Sequence, residues 1–335
     1  MAADTLRAFR PARRPASIVS LTVHPQRTDR LLRSELAVPG SQPRLFEKAA
    51  RSAADAVYID LEDSVAPGDK ADARRNAIAA LNALDWGAKT VEVRVNGIDT
   101  PYLFRDLIDI VSSCPRLDLV IVPKIAVAAD VYAVDVLLSQ IEQENGRTRR
   151  VGIVALIESA LGVANLEAIA QSSPRLEGMT FGSGDFAAST RMRTTGIGAL
   201  SAGYAVLADP QPDGTRMLLP ADPWHAVHSR LVIACRAYGL RPLDGPYADF
   251  GDGAGFAAAA RRAAALGFEG KMCIHPSQIA DANAIFRPSE AEVAEARRIV
   301  EAMQAAARAG HGAVQLEGRM IDIVSIRMAE QLIAR

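Results

Sequence analysis

Cysteine is scarce in this chain, aromatic residues are few, and neither sign of charge prevails. Three cysteines occur in 335 residues. Cys114, Cys235 and Cys273 are far apart and odd in number, which argues against a disulfide framework or a structural zinc site and points to a reducing, cytoplasmic setting. The formal net charge is -1, so no global field draws the chain to nucleic acid. No apolar run is long enough to span a bilayer, and none precedes a small-residue cleavage site, so export is not expected. The five histidines form no H-x-x-x-H pair; His225 and His228 read as helix-surface or interface residues, not zinc ligands. A glycine-rich dinucleotide turn is missing too, since Pro39-Gly40-Ser41 does not have that spacing.

What is present is a large apolar fraction, 49%, arranged in alternation. Strand patterns at 35–38, 56–61, 90–95, 118–122, 151–157 and 178–181, with less regular ones near Arg241–Leu243 and at 269–274, are separated by helix patterns at 43–53, 69–83, 101–113, 127–144, 161–171, 223–238, 253–266 and 276–286. Eight alternations predict a (β/α)8 TIM barrel over 34–288, with an open doubly wound sheet as the competing arrangement. The irregular stretch 191–222 reads as an insertion over the catalytic face, a common origin of lids. From Ser289, a good helix cap with Glu292 three positions on, the segment 289–335 predicts a helix to about 309, a short hairpin at 314–320 and a final helix over 321–334. This unit is too small to stand alone and is expected to pack on the barrel or on another protomer.

The first 33 residues form a basic arm. Arg7, Arg10, Arg13, Arg14, Arg27, Arg30 and Arg33 face only Asp4 and Asp29, and Pro11 and Pro15 interrupt any early helix. Three readings stand: a transit peptide, a flexible arm closing over a neighbouring subunit or a phosphate, and a poorly ordered terminus over 1–15.

Several strand ends carry chemistry. Glu158 ends V-G-I-V-A-L-I-E, and Asp185 lies in F-G-S-G-D, 27 residues further on. In a parallel barrel that spacing puts two carboxylates on neighbouring strands at the catalytic face, where they can hold a hard cation such as magnesium. Helix capping is the plainer role and explains one acid more easily than both. Asp60, Glu62 and Asp63 close the second strand. They read as support for a metal, as salt bridges orienting an arginine, or as loop partners of Lys70, Arg74 and Arg75. Arg94 stands among valines, where burial demands a partner. Lys124, in I-V-P-K, suits a Schiff base, an anion anchor, or a pair with Glu62. Pro39, Gly40 and Ser41, with Lys48, could receive a phosphate-bearing ligand at a helix start. For Asp322 the default is an N-cap.

The motifs R-S-E-L-A-V-P-G-S, Y-I-D-L-E-D-S-V-A-P-G-D-K, V-R-V-N-G-I-D-T, I-V-P-K, A-L-I-E-S-A-L-G, F-G-S-G-D-F-A-A-S and H-P-S-Q-I, in this order from Arg33 onward, resemble the HpcH/HpaI aldolase/citrate lyase beta-subunit-like family. Within it, they resemble the L-malyl-CoA/beta-methylmalyl-CoA lyases. The resemblance implies a magnesium-dependent barrel, with manganese as a substitute, built into trimers or pairs of trimers. Its reaction is reversible cleavage of malyl-CoA to acetyl-CoA and glyoxylate, or of methylmalyl-CoA to propionyl-CoA and glyoxylate. Carried over, it makes Glu158 and Asp185 metal ligands and Arg94 the partner of the thioester and enolate oxygen. Asp322 becomes an acid from a neighbouring subunit that exchanges the alpha proton, and Lys48 with Pro39–Ser41 part of the coenzyme A site. Ala37 and Gln42 depart from the aromatic and basic residues usual near the coenzyme A end; the basic arm is a substitute for them. Malyl-CoA thioesterase, citramalyl-CoA lyase and a non-catalytic barrel binding a coenzyme A metabolite are the competing functions.

Overall fold

The computed structural model describes residue 26 and residues 28–334 other than 202. In chain order the strands are β1 (Ser34–Pro39), β2 (Ala56–Asp60), β3 (Thr90–Arg94), β4 (Leu119–Val122), β5 (Gly152–Ile157), β6 (Leu176–Phe181), β7 (Ala205–Leu207), β8 (Leu218–Pro220), β9 (Arg241–Asp244), β10 (Gly270–Cys273), β11 (Val314–Leu316) and β12 (Arg319–Ile321). Eight of them close a barrel in the order β1-β10-β9-β6-β5-β4-β3-β2, and every pairing is parallel. The expected TIM barrel is present and the open sheet is not.

The strands are short apolar runs because both of their faces are covered. Outward residues such as Val57, Ile59, Val93, Val120 and Ile157 pack under the surrounding helices. Inward ones, Ala56, Tyr58, Leu119, Ile121, Val154, Leu156, Leu243 and Met272, fill the barrel with the help of Leu32. His228 belongs to the outer layer. It is buried, lies 3.4 Å from Asp244 and packs edge-on against Phe181 and Phe268, so the surface reading of this residue is corrected; His225 is exposed.

Thr28 to Arg33 close the barrel floor. Arg30 pairs with Glu177 at 2.9 Å and Asp118 at 3.3 Å. Arg33 grips both oxygens of Asp55 at 2.6 and 2.8 Å, and Arg241 donates to the carbonyls of Thr28 and Arg30. The two arginines of the arm that the structure describes are thus spent on the floor rather than held out for a phosphate. Arg7, Arg10, Arg13, Arg14 and Arg27 lie outside the described residues, and with them the readings of 1–15.

The 191–222 insertion divides in two. Its first part lies over the barrel mouth, fixed where Ala248 N–H donates to the Ile197 carbonyl at 3.2 Å and Trp224 Nε1 to that of Ala199 at 3.1 Å. Its second part, β7 with β8, is an antiparallel ribbon exposing Val206, Leu207, Leu218 and Leu219. Beyond the barrel, the Ser289–Glu292 capping box starts the helix Glu290–Arg308. The hairpin β11–β12 turns at Glu317 and Gly318, both with positive φ, as a tight two-residue hairpin requires. The helix Ile323–Ile333 then packs back on the first helix.

Inside the lower barrel, Glu35 and Glu92 are wholly buried side by side, and apart from each other no protein group hydrogen-bonds their carboxylate oxygens. Burial pushes Glu35 up to about 8, and burial together with the charge of Glu35 pushes Glu92 well above the usual carboxylate range. The unfolded values are near ~4.3, so the contribution of both groups is fully present below that pH and is lost as pH rises through the folded values. Glu35→Gln should flatten the decline of melting temperature between about pH 5 and 8 and leave the protein more stable than wild type at about pH 9. An unchanged pH–melting profile in thermal denaturation would show that the pair does not titrate in this way.

Candidate active site

The register between β2 and β3 sets Asp60 directly beside Arg94 at the C-terminal ends of the two strands. Arg94 donates Nε to Asp60 Oδ1 and Nη2 to Oδ2, both at 2.7 Å, a bidentate fork that fixes the guanidinium plane. Its Nη1 lies 3.3 Å from Glu62 Oε2. Burial alone would push the Asp60 carboxyl up, but the hydrogen bonds and charge of Arg94 outweigh it and hold the group below its usual range. On Arg94, burial opposes the charge, and the bonds to Asp60 more than reverse that. The alternative loop partners are elsewhere: Lys70 Nζ donates to the carbonyls of Leu61 and Glu62, both at 2.8 Å, Arg74 pairs with Asp106 and Asp109, and Arg75 pairs with Asp72.

Lys124, just beyond β4, has φ +57°, in the left-handed region. Its backbone N–H donates to Glu158 Oε1 at 2.8 Å and its Nζ to Glu62 Oε1 at 2.9 Å; Asp63, more exposed, is 3.8 Å away. Burial would lower the Lys124 pKa, but the bond to Glu62 and the surrounding acids raise it. The amine is held as an ammonium, contrary to what a Schiff-base nucleophile needs.

Glu158, at the end of β5, is buried, and burial, Glu62 and Asp185 push it up to about 8. Asp185 sits on the short helix Ser183–Ser189 that follows β6, a helix the sequence pattern did not reveal. Between them Gly182 leaves the room the carboxylate needs: a Cβ there would lie 2.6 Å from both Glu158 Cβ and Oε2. Glu158, Asp185, Asp60, Asp63 and Arg94 all line one cavity of 290 Å³, along with Pro39, Tyr58, Leu156, Ile197, Pro246, Met272 and Ile274. The apolar members other than Pro39 escaped sequence reasoning. Alternation places Tyr58, Leu156 and Met272 on one face of their strands, but only the barrel shows that this face meets the acids.

A divalent cation fits these residues. Two carboxylates open into the cavity, one is buried and raised by like charge, and all the donors are oxygens, as magnesium prefers. Among the described residues no group of three or more His, Cys, Asp or Glu side chains is arranged to hold a metal ion, so substrate oxygens and water would have to supply the remaining ligands. Glu158 and Asp185 would hold the ion.

The remaining expected site residues are scattered. Pro39 reaches the cavity. Gly40 serves the fold: its N–H donates to the Asp60 carbonyl at 2.8 Å, its carbonyl accepts from Asn76 at 3.1 Å, and a Cβ would meet the Asp60 carbonyl oxygen at 2.9 Å. Ser41 is half-buried beside it, and Lys48 is exposed on the helix Phe46–Ala50. Neither lines the cavity. Asp322 caps the last helix by accepting from Val324 N–H at 2.9 Å and does not reach the cavity of its own chain. The geometry around Gly182 predicts that Gly182→Ala displaces the Glu158 carboxylate and weakens magnesium binding by about 10-fold or more, as loss of support around a metal ligand typically does. Calorimetric titration checks this, with circular dichroism to show that the barrel persists.

Comparison with known proteins shows the family. The family model HpcH/HpaI aldolase/citrate lyase matches residues 33–276. The L-malyl-CoA/beta-methylmalyl-CoA lyase of Cereibacter sphaeroides is 50% identical over 94% of this chain and 98% of its own. A (3S)-malyl-CoA thioesterase of the same organism is 35% identical over 90% of this chain and 94% of its own. Among solved structures, CitE from Mycobacterium tuberculosis in complex with magnesium, acetoacetate and coenzyme A superposes with a TM-score of 0.69 at 31% identity, covering 92% of this chain and 98% of that one. With its barrel, its paired carboxylates and these relatives, the chain belongs to the HpcH/HpaI aldolase/citrate lyase family.

Proposed function

We propose that the protein is a magnesium-dependent carbon–carbon lyase that reversibly cleaves L-malyl-CoA to acetyl-CoA and glyoxylate, and beta-methylmalyl-CoA to propionyl-CoA and glyoxylate. The observation that carries this reading is the joint placement of Glu158, Asp185 and Arg94 on one cavity, in a chain half identical to a lyase of that name.

When bound, the cation supplies Lewis acidity to the oxygens of the oxo acid; manganese suits the same donors. The chain's own residues do the rest. Asp60 fixes the Arg94 guanidinium in one plane, so that its charge is already oriented toward the thioester oxygen as that oxygen becomes an enolate oxygen. Leu156, Met272 and Ile274 give the cavity apolar walls, which limit water and strengthen that interaction. In the condensing direction a carboxylate takes the alpha proton of the acyl thioester, and the resulting carbon nucleophile bonds to the aldehyde carbon as its C=O π pair moves to oxygen, which takes a proton from water to become the product hydroxyl. Cleavage is the reverse.

We assign the proton transfer to Asp322 of a neighbouring copy in a trimer or a pair of trimers. Supporting this, Asp322 does not line its own cavity, and Met320, Ile323, Val324 and Met328, near it in sequence, are exposed, apolar side chains suited to a partner. On this reading 34–288 is the catalytic unit and 289–335 the extension that completes a neighbour's site, with 1–33 the N-terminal arm whose residues 28–33 close the barrel floor. Pro39, Gly40, Ser41 and Lys48 mark the side on which coenzyme A enters. No helix among the described residues is long and apolar enough to cross a membrane, and the three buried thiols suit a reducing cytoplasm.

Purified protein given glyoxylate with acetyl-CoA or propionyl-CoA should accumulate the malyl or methylmalyl thioester only with magnesium. Free malate and CoA would make it a thioesterase, and product from pyruvate alone a citramalyl-CoA lyase. Glu158→Gln and Asp185→Asn should lose magnesium binding and turnover together. Arg94→Lys should keep the ion and lose turnover by about 100-fold or more, the scale of removing one oriented donor from a developing oxyanion. Asp322→Asn should keep the ion and abolish exchange of the alpha proton into deuterated water; full exchange in that variant would remove Asp322 from the mechanism.

A further inference from the structure

Three non-glycine residues among those described have positive φ: Lys124, Arg191 and Glu317. Arg191 lies just past the end of the helix Ser183–Ser189, and Glu317 lies in the β11–β12 turn. Both are exposed positions where the left-handed conformation is routine. Lys124 is different. It stands at a barrel strand end among buried carboxylates, where a glycine would adopt the same backbone without the steric cost carried by a side chain. A strained residue held at such a position points to a role for its side chain.

We propose that Lys124 is a positioning residue that joins the two halves of the site. Its backbone N–H orients the Glu158 carboxylate, while its ammonium orients Arg94 through Glu62. The left-handed backbone lets one residue serve both: the N–H reaches Glu158 Oε1 at 2.8 Å and Nζ reaches Glu62 Oε1 at 2.9 Å. The other oxygen of Glu62 lies 3.3 Å from Arg94 Nη1. Lys124 does not line the cavity, so it acts on substrate only through these partners. Without the ammonium, Glu62 is left with Arg94 as its one ionic partner and pulls the guanidinium out of the plane set by Asp60. The cation site, which depends on the backbone arm, stays intact.

The proposal rests on the lyase reading for its activity test but not for its structural test. Lys124→Cys should lower turnover about 10- to 100-fold, the usual cost of removing a group that orients an active-site residue, while magnesium affinity by calorimetry stays within about 3-fold. The native cysteines are all buried, so the new thiol can be alkylated selectively. Bromoethylamine, which rebuilds an ammonium at nearly the same reach, should restore turnover, and neutral iodoacetamide should not. Lys124→Gly, free of backbone strain, should show the same loss and the same magnesium affinity in a protein that folds at least as well. Crystal structures of the Cys variant before and after aminoethylation should show the Arg94–Glu62 contact shifted and then returned. Wild-type turnover in either variant, rescue by the neutral reagent, or parallel loss of magnesium affinity would overturn the proposal. If wild-type protein itself does not turn over these substrates, the lyase reading fails, and an Arg94–Glu62 contact unmoved in the variant structure would still overturn the positioning role.

Discussion

The interaction on which the rest of this molecule depends is the fork between Arg94 and Asp60. It joins β2 to β3 at the barrel mouth and lets buried charge exist there at all. Removing charges from water costs several kcal/mol per ion unless geometry and hydrogen bonds compensate, and here both oxygens of Asp60 are satisfied at 2.7 Å. Glu62 then shares Arg94 with Lys124, and Lys124 in turn holds Glu158. Two cations serve three buried acids, with Asp63 and Asp185 adding further negative charge at the rim. The deficit falls on Glu158, pushed up to about 8, and on Glu62, which burial also raises. On the proposed reading a divalent ion held by Glu158 and Asp185 would remove the deficit, and the metal site would follow from how the surrounding charges are spent.

The two ends of the barrel divide the work. The floor uses arginines to lock chain to chain: Arg30, Arg33 and Arg241 tie the segment before β1 to the lower strand ends. The mouth uses one arginine and one lysine to shape a cavity. Between them lies a layer around Tyr58, whose hydroxyl approaches the Met272 sulfur at 3.7 Å and whose ring lies 5.9 Å from the Arg94 guanidinium. This division, chemistry above and stability below, is characteristic of parallel barrels. It explains why an acid pair such as Glu35 and Glu92 can sit in the lower barrel without serving catalysis.

Much of the fold was legible in the sequence, because strands buried on both faces and helices capped by turn residues follow local rules. The eight barrel strands and the C-terminal hairpin between two helices coincide with the patterns that anticipated them. The placement of Glu158 and Arg94 at the mouth followed from the same logic, since strand ends in a parallel barrel converge; Asp185 joins them from the short helix after β6. What did not follow depends on the third dimension. Burial of His228 depends on helix orientation, and the enclosure of Glu35 and Glu92 depends on which strand face points inward. The left-handed backbone of Lys124 has no residue-type signal, since glycine is the residue that usually marks it. Asp322 read as a helix cap and is one; the further role proposed for it lies between chains, where one chain's pattern carries no information.

The most direct test of this account is to count protons as magnesium binds. With Glu158 at about 8 before the ion arrives, binding at neutral pH must displace its proton, because the ligand must be ionised. Calorimetric titration in buffers of different ionisation enthalpy should show close to a full proton released per ion at about pH 7, falling toward none above about pH 9. The release should vanish in Glu158→Gln along with the binding. Tight magnesium binding with no proton released at neutral pH would contradict the claim that the mouth holds an uncompensated buried carboxylate awaiting a cation.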